Sequence, residues 1–128
     1  MDSPSDTRGI GVDLVSVERI KKALVNTAGF AERILTPAEL TRMRQKKDGS
    51  GFVAKRFAGK EAVVKALGTG VGAGIGWQQI EIINDATGAP VVTLTGMAKA
   101  RMDALGATRC MLSLSDEREF AMAFAILC

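Results

Sequence analysis

The stretch Phe52-Val-Ala-Lys-Arg-Phe-Ala-Gly-Lys-Glu-Ala-Val-Val-Lys-Ala-Leu-Gly68 constrains the fold of this chain more than any other. Its apolar residues recur at helical intervals (Phe52, Val53, Phe57, Val63, Val64, Leu67), and Gly68 stands where a helix C-cap belongs. The spacing predicts an amphipathic helix of about four turns. Its polar content is unusual. Arg56 and Lys60 are four residues apart, as are Glu61 and Lys65, so each pair can share a face. On spacing alone the plain reading of Glu61 and Lys65 is a surface ion pair worth about 0.3–0.5 kcal/mol. Other parts of the chain argue for more.

The 128 residues include no histidine. That excludes Ser-His-Asp and Cys-His catalysis and nearly every familiar zinc site. Acid–base work in such a chain falls to carboxylates, lysines or a metal-bound water, and a side-chain metal site points to oxygen ligands and Mg²⁺ or a similar hard ion. Two cysteines, Cys110 and Cys128, form no C-x-x-C pair, which is the pattern of a reduced cytoplasmic protein. Residues 1–7 are polar and read as a frayed tail without a signal-peptide core, leaving 8–128 as one domain; hydrophobic residues make up 47% of the whole chain, enough to build a core. No run is long enough to span a membrane.

The net charge of +3 is unevenly placed. Seven basic groups (Arg42, Arg44, Lys46, Lys47, Lys55, Arg56, Lys60) stand against Asp48 between residues 42 and 60, and Arg19, Lys21 and Lys22 form a second cluster. Either these are solvated faces or they meet an anionic partner or substrate, which the concentration of charge favours.

Taken in order, Ile10, Val12 and Leu14 alternate with Gly9, Gly11 and Asp13, the period of a strand. Glycines weaken a strand and imply close backbone approach by a ligand or another element. Asp13 either closes the strand, caps the next helix, or serves a ligand. A helix from Ser16 to about Asn26 follows, with Ser16 as N-cap and Val17, Ile20 and Leu24 as its buried stripe. Phe30 to Leu35 adds an apolar turn, and Thr36-Pro-Ala-Glu39 is a capping box opening a helix over 37–47. The glycine-rich run 68–76 contains G-x-G-x-x-A, but it follows a helix and leads into an expected strand, Trp77–Ile83, the wrong order for a dinucleotide fingerprint. Residues 84–90 predict a hairpin turn to a strand over 91–94, a helix spans 97–105, and strands occupy 109–115 and 120–127. The last strand is apolar at every position and should be covered on both faces, by helices or by another subunit. With no regular strand–helix repeat, the class is α+β: an antiparallel sheet packed with a long central helix.

Gly9-Ile-Gly-Val-Asp13 and Phe57-Ala-Gly-Lys-Glu-Ala-Val-Val-Lys65, in this order and spacing, resemble the paired signature of the phosphopantetheinyl transferases. Residues 30–36, Lys55-Arg-Phe57, Ala66-Leu-Gly-Thr-Gly70 and Gly88-Ala-Pro90 also resemble stretches of that family, so the likeness runs from about Gly9 onward. Its length is similar to the half-length group that assembles as homotrimers with active sites between subunits. The resemblance implies transfer of the 4′-phosphopantetheine arm of coenzyme A to a serine of apo-acyl carrier protein, with Mg²⁺, in support of fatty acid biosynthesis. It implies Asp13 and Glu61 as the metal ligands, Glu61 and Lys65 as catalytic residues, and Arg56, Lys60, Lys65, Gly68, Gly70 and Pro90 around coenzyme A. Arg19 and Lys22, with Arg33, are implied as the basic docking surface for the acidic carrier protein.

Two departures from the family pattern stand out. Asp116 occupies the place where many relatives have histidine, and Gly88-Ala-Pro90 replaces the more usual Gly-Lys-Pro, removing one cationic contact. Rival classes are a small basic nucleic-acid-binding domain and a non-catalytic structural oligomer. The first is disfavoured because the chain has only six aromatics, too few for a run of stacking platforms; neither nucleic acid nor membrane is an expected partner.

Overall fold

The computed structural model describes residues 6–128; most of the expected N-terminal tail, residues 1–5, lies outside them. Helix α4 (Ser50–Leu67) runs through the middle. One side packs on an antiparallel sheet of order β1-β5-β4, built from β1 (Gly9–Ser16), β5 (Phe120–Leu127) and β4 (Cys110–Asp116). Around its remaining surface lie α1 (Val17–Asn26), α5 (Gly96–Ala104) and the hairpin of β2 (Ile80–Asn84) with β3 (Pro90–Leu94), while α2 (Phe30–Ile34) and α3 (Pro37–Arg44) pack against these in turn. The α+β reading holds.

Helix α4 is less amphipathic than its sequence implies. Thirteen of its residues are buried, including Arg56 and Lys60, because structure covers it on nearly all sides. Only Lys65 is exposed, with Gly51, Lys55, Phe57 and Glu61 half-buried. Gly68, in the left-handed region at φ 76°, ends the helix and returns its N–H to Lys65 and Val64.

The glycines of β1 answer the question the sequence left open. A Cβ at Gly9 would lie 2.1 Å from the Ala66 carbonyl oxygen, and one at Gly11 would lie 2.0 Å from that of Ala62. The close approach is by α4, not by a ligand. On β5, Ala121, Ala123, Ala125 and Leu127 are buried on the inner side, so small residues bring sheet and helix together. The other face of this strand is uncovered within the chain, and Phe120, Met122 and Phe124 are exposed there.

Local signals set the remaining boundaries. Ser16 closes β1 and its Oγ accepts the Arg19 N–H at 3.3 Å, so it, rather than Asp13, caps α1. The capping box of α3 forms in full, with Thr36 and Glu39 bonding each other's backbone N–H. This helix stops at Arg44, short of the expected Lys47, because the Gln45 and Lys46 N–H groups turn to carbonyls three residues back. Trp77–Gln79 is a 3-10 turn rather than the start of a strand, its Trp77 carbonyl being taken by Lys60.

Candidate active site

Helix α4 presents two sets of polar residues to two cavities. Phe57, Glu61 and Lys65 recur every four residues and line a cavity of about 460 Å³ with Asp13, Arg19, Ile20, Ala23 and Phe30. Strand β1 supplies Asp13 because its glycines let it lie against α4 at the level of Ala62 and Ala66, on either side of Lys65. The Lys65 ammonium donates to Asp13 Oδ1 at 3.1 Å and to the Val12 carbonyl at 3.0 Å. The i,i+4 pairing with Glu61 is thus replaced by a contact 52 residues away in sequence.

Glu61 shares this cavity with Asp13. Burial first, and the Asp13 charge second, push its carboxyl above the ordinary glutamate value, while Lys65 pulls it back. Two carboxylates facing one cavity, one of them held above its ordinary proton affinity partly by the charge of the other, are suited to a shared cation. Among the described residues no cluster of three or more His, Cys, Asp or Glu side chains forms a closed metal cage. Two carboxylates in an open cavity, leaving positions for phosphate and water, fit the way Mg²⁺ is held.

The second cavity, about 280 Å³, is lined by Arg42, Lys46, Lys55, Arg56, Phe52, Asn84 and Asp116, among others. Four of the seven basic groups of the 42–60 cluster converge here. Arg56 is buried, donates to Asn84 Oδ1 at 3.0 Å and stacks its guanidinium 4.4 Å from the Phe52 ring centroid. Its Nε has no hydrogen-bond partner among the described residues. Pro90 pairs in register with Asn84, beside this arginine. Asp116 lies 3.7 Å from Lys55.

Lys60 needs correction as a coenzyme-binding residue. It is 0% exposed, and its ammonium donates to Glu39 Oε1 at 2.6 Å, the Ile34 carbonyl at 2.7 Å and the Trp77 carbonyl at 3.2 Å. Glu39 is equally enclosed and also accepts the Thr36 and Ile82 N–H groups. With its three donors used inside the protein, Lys60 has none for a ligand.

The other expected residues are placed as follows. Arg19, Lys22 and Arg33 are exposed on α1 and α2, with Arg19 at the rim of the first cavity. Gly68 and Gly70 begin the loop that leaves α4 one turn after Lys65. Sequence reasoning missed Asn84, which holds Arg56, and the aromatic wall of Phe30 and Phe57, whose rings stack at 6.5 Å with Trp77 behind Phe57 at 5.2 Å. The Asn84 contact spans 28 residues and leaves no local signal.

Known proteins resemble this chain over nearly its whole length. The family model of the 4′-phosphopantetheinyl transferase superfamily matches residues 9–125. A holo-[acyl-carrier-protein] synthase of Halorhodospira halophila is 47% identical over 120 residues, covering 93% of this chain and 95% of that protein. Among solved structures, the holo-[acyl-carrier-protein] synthase of Neisseria meningitidis superposes with a TM-score of 0.87 at 37% identity, covering 96% of this chain and 99% of that one. The Helicobacter pylori enzyme, solved in complex with coenzyme A, gives 0.80 at 34% identity, covering 93% and 99%. The meeting of Asp13, Glu61 and Lys65 from strand and helix therefore sits on a framework shared from end to end, and the chain belongs to the 4′-phosphopantetheinyl transferase superfamily.

Proposed function

We propose that this chain is a holo-[acyl-carrier-protein] synthase, an enzyme that transfers the 4′-phosphopantetheine arm of coenzyme A to a serine hydroxyl of an apo-acyl carrier protein. The observation that carries this reading is the convergence of Asp13, Glu61 and Lys65 on one cavity. The serine oxygen attacks the β-phosphorus, a new P–O bond forms, and the bridging bond to the α-phosphate breaks. Adenosine 3′,5′-bisphosphate leaves with that electron pair. Asp13 and Glu61 would hold Mg²⁺, which when bound neutralises charge on the diphosphate. Glu61 orients the serine, whose proton passes to Glu61 directly or through a water. Lys65 turns its ammonium toward the leaving phosphate.

The basic cavity around Arg56 suits the 3′-phosphate and nucleotide of coenzyme A, with Pro90 at its edge and the Gly68 and Gly70 backbone along the diphosphate. Arg19, Lys22 and Arg33 suit an acidic carrier protein, steering its approach and fixing its register. The exposed outer face of the three-stranded sheet supports a homotrimer. Ile10, Val12 and Leu14 on β1, Met111 on β4, and Phe120, Met122 and Phe124 on β5 are 41–62% exposed there. The two free thiols and the absence, among the described residues, of any helix long and apolar enough to cross a membrane accord with a cytoplasmic location.

Mass spectrometry of an apo-acyl carrier protein incubated with coenzyme A and this protein tests the reading. The expected result is a phosphopantetheine mass gain that requires Mg²⁺ and disappears with Glu61→Gln. A carrier protein left unchanged, or an undiminished gain with the variant, refutes it.

A further inference from the structure

Between α4 and the 3-10 turn, residues 68–76 carry five glycines, four of them in the left-handed region, as is Ala73 at φ 53°. Residues 71–74 are exposed. The tip folds on itself, Gly72 and Ile75 exchanging N–H···O bonds of 2.9 and 3.0 Å, and only Ile75 is buried. A segment this rich in glycine has much conformational freedom to lose, so its shape depends on what ties it from outside.

The tie is Gln79. Its Nε2 donates to the Gly74 carbonyl at 2.7 Å, while its Oε1 accepts the Ala98 N–H at 2.9 Å. That second bond caps the start of α5, where Thr95 provides no side-chain cap. The two partners fix the orientation of the amide, since reversing it would face donor with donor and acceptor with acceptor. The backbone makes room for it as well: a Cβ at Gly96 would come within 3.1 Å of Gln79 Cδ. The Gln79 carbonyl accepts the Thr95 N–H at 2.9 Å, so the residue is held from two directions.

We propose that Gln79 is a positioning residue: by tying the Gly74 carbonyl to the N-terminus of α5, it holds the glycine loop that follows Lys65 along the chain in the shape that receives the diphosphate end of the substrate. The ligand named here rests on the transferase reading; the tie itself does not. Without it the loop samples more conformations, and coenzyme A must order it on binding. The carrier protein, meeting exposed cations on α1 and α2, is spared that cost.

Two variants separate the effects. Gln79→Glu keeps an acceptor for Ala98 N–H but sets a carboxylate oxygen against the Gly74 carbonyl. Gln79→Met removes both bonds. Amide hydrogen exchange on the free protein is expected to quicken about fivefold at residues 72–75 in both, the scale of one neutral hydrogen bond. Protection at the start of α5 should survive in the Glu variant and weaken in the Met variant. KM for coenzyme A should rise by a similar factor, with KM for carrier protein unchanged. Unaltered loop exchange in both variants, or an equal rise in the two KM values, overturns the proposal. A wild-type protein that modifies no carrier protein removes the transferase reading alone, because exchange is measured without substrate. Should Gln79→Glu fail to fold, loop exchange in Gln79→Met decides.

Discussion

Lys60 and Glu61 are consecutive residues of α4 with opposite surroundings. Lys60 is sealed against Glu39 and two carbonyls, and burial lowers its ammonium pKa while the Glu39 carboxylate works against that. Replacing it by methionine leaves the Glu39 charge buried without its cation. The expected cost is about 3–5 kcal/mol, measured by urea unfolding. Glu61→Gln should be neutral or stabilising in the same measurement, since the native site already disfavours the ionised carboxyl. Cys110 gives a pH dependence. Burial, and after it the Cys128 thiol, push its pKa from the ordinary 9.0 up to about 11. Between these values the native state binds more protons than the unfolded chain, so stability falls as pH rises. Iodoacetamide at pH ~9 should therefore label Cys110 slowly in native protein and rapidly in urea, as read by peptide mapping.

At the scale of elements, β1 and α4 are packed as one unit through Gly9 and Gly11. Their missing side chains let the strand approach the Ala62 and Ala66 carbonyls closely enough for Asp13 to meet Lys65 and face Glu61. Gly11→Ala would force a methyl to 2.0 Å from the Ala62 oxygen unless strand and helix part. The expectation is destabilisation of about 1–3 kcal/mol, from chemical denaturation, with a larger loss of activity than stability alone explains. The four-residue period that sets Phe57, Glu61 and Lys65 in one row also turns Phe52 and Arg56 toward the other cavity. One helix thus lines both cavities, which in the proposed reading receive the two ends of one long substrate.

For the whole molecule, the outer face of the β1-β5-β4 sheet is decisive. An apolar surface of this extent on both β1 and β5 calls for a partner, and a second and third copy of the chain satisfy it in the trimer reading. Phe124→Glu places a charge at its centre and is expected to yield monomers in analytical ultracentrifugation while circular dichroism remains native. If active sites lie between subunits, transfer activity falls with trimer content.

The features legible in the sequence are those fixed by chemistry within a few residues. The Thr36–Glu39 capping box, the left-handed Gly68 and the hairpin between Asn84 and Pro90 follow from backbone groups satisfied close to home. That Asp13 and Glu61 meet at one cavity was legible through family resemblance, because strand and helix signatures keep their order. Three choices waited for tertiary structure: Lys60 turning inward to Glu39, Lys65 preferring Asp13 to Glu61, and Asn84 holding Arg56. Each depends on groups 21 to 52 residues apart. A charged side chain's role follows from the desolvation and partners it finds after packing, and sequence spacing along one helix records neither.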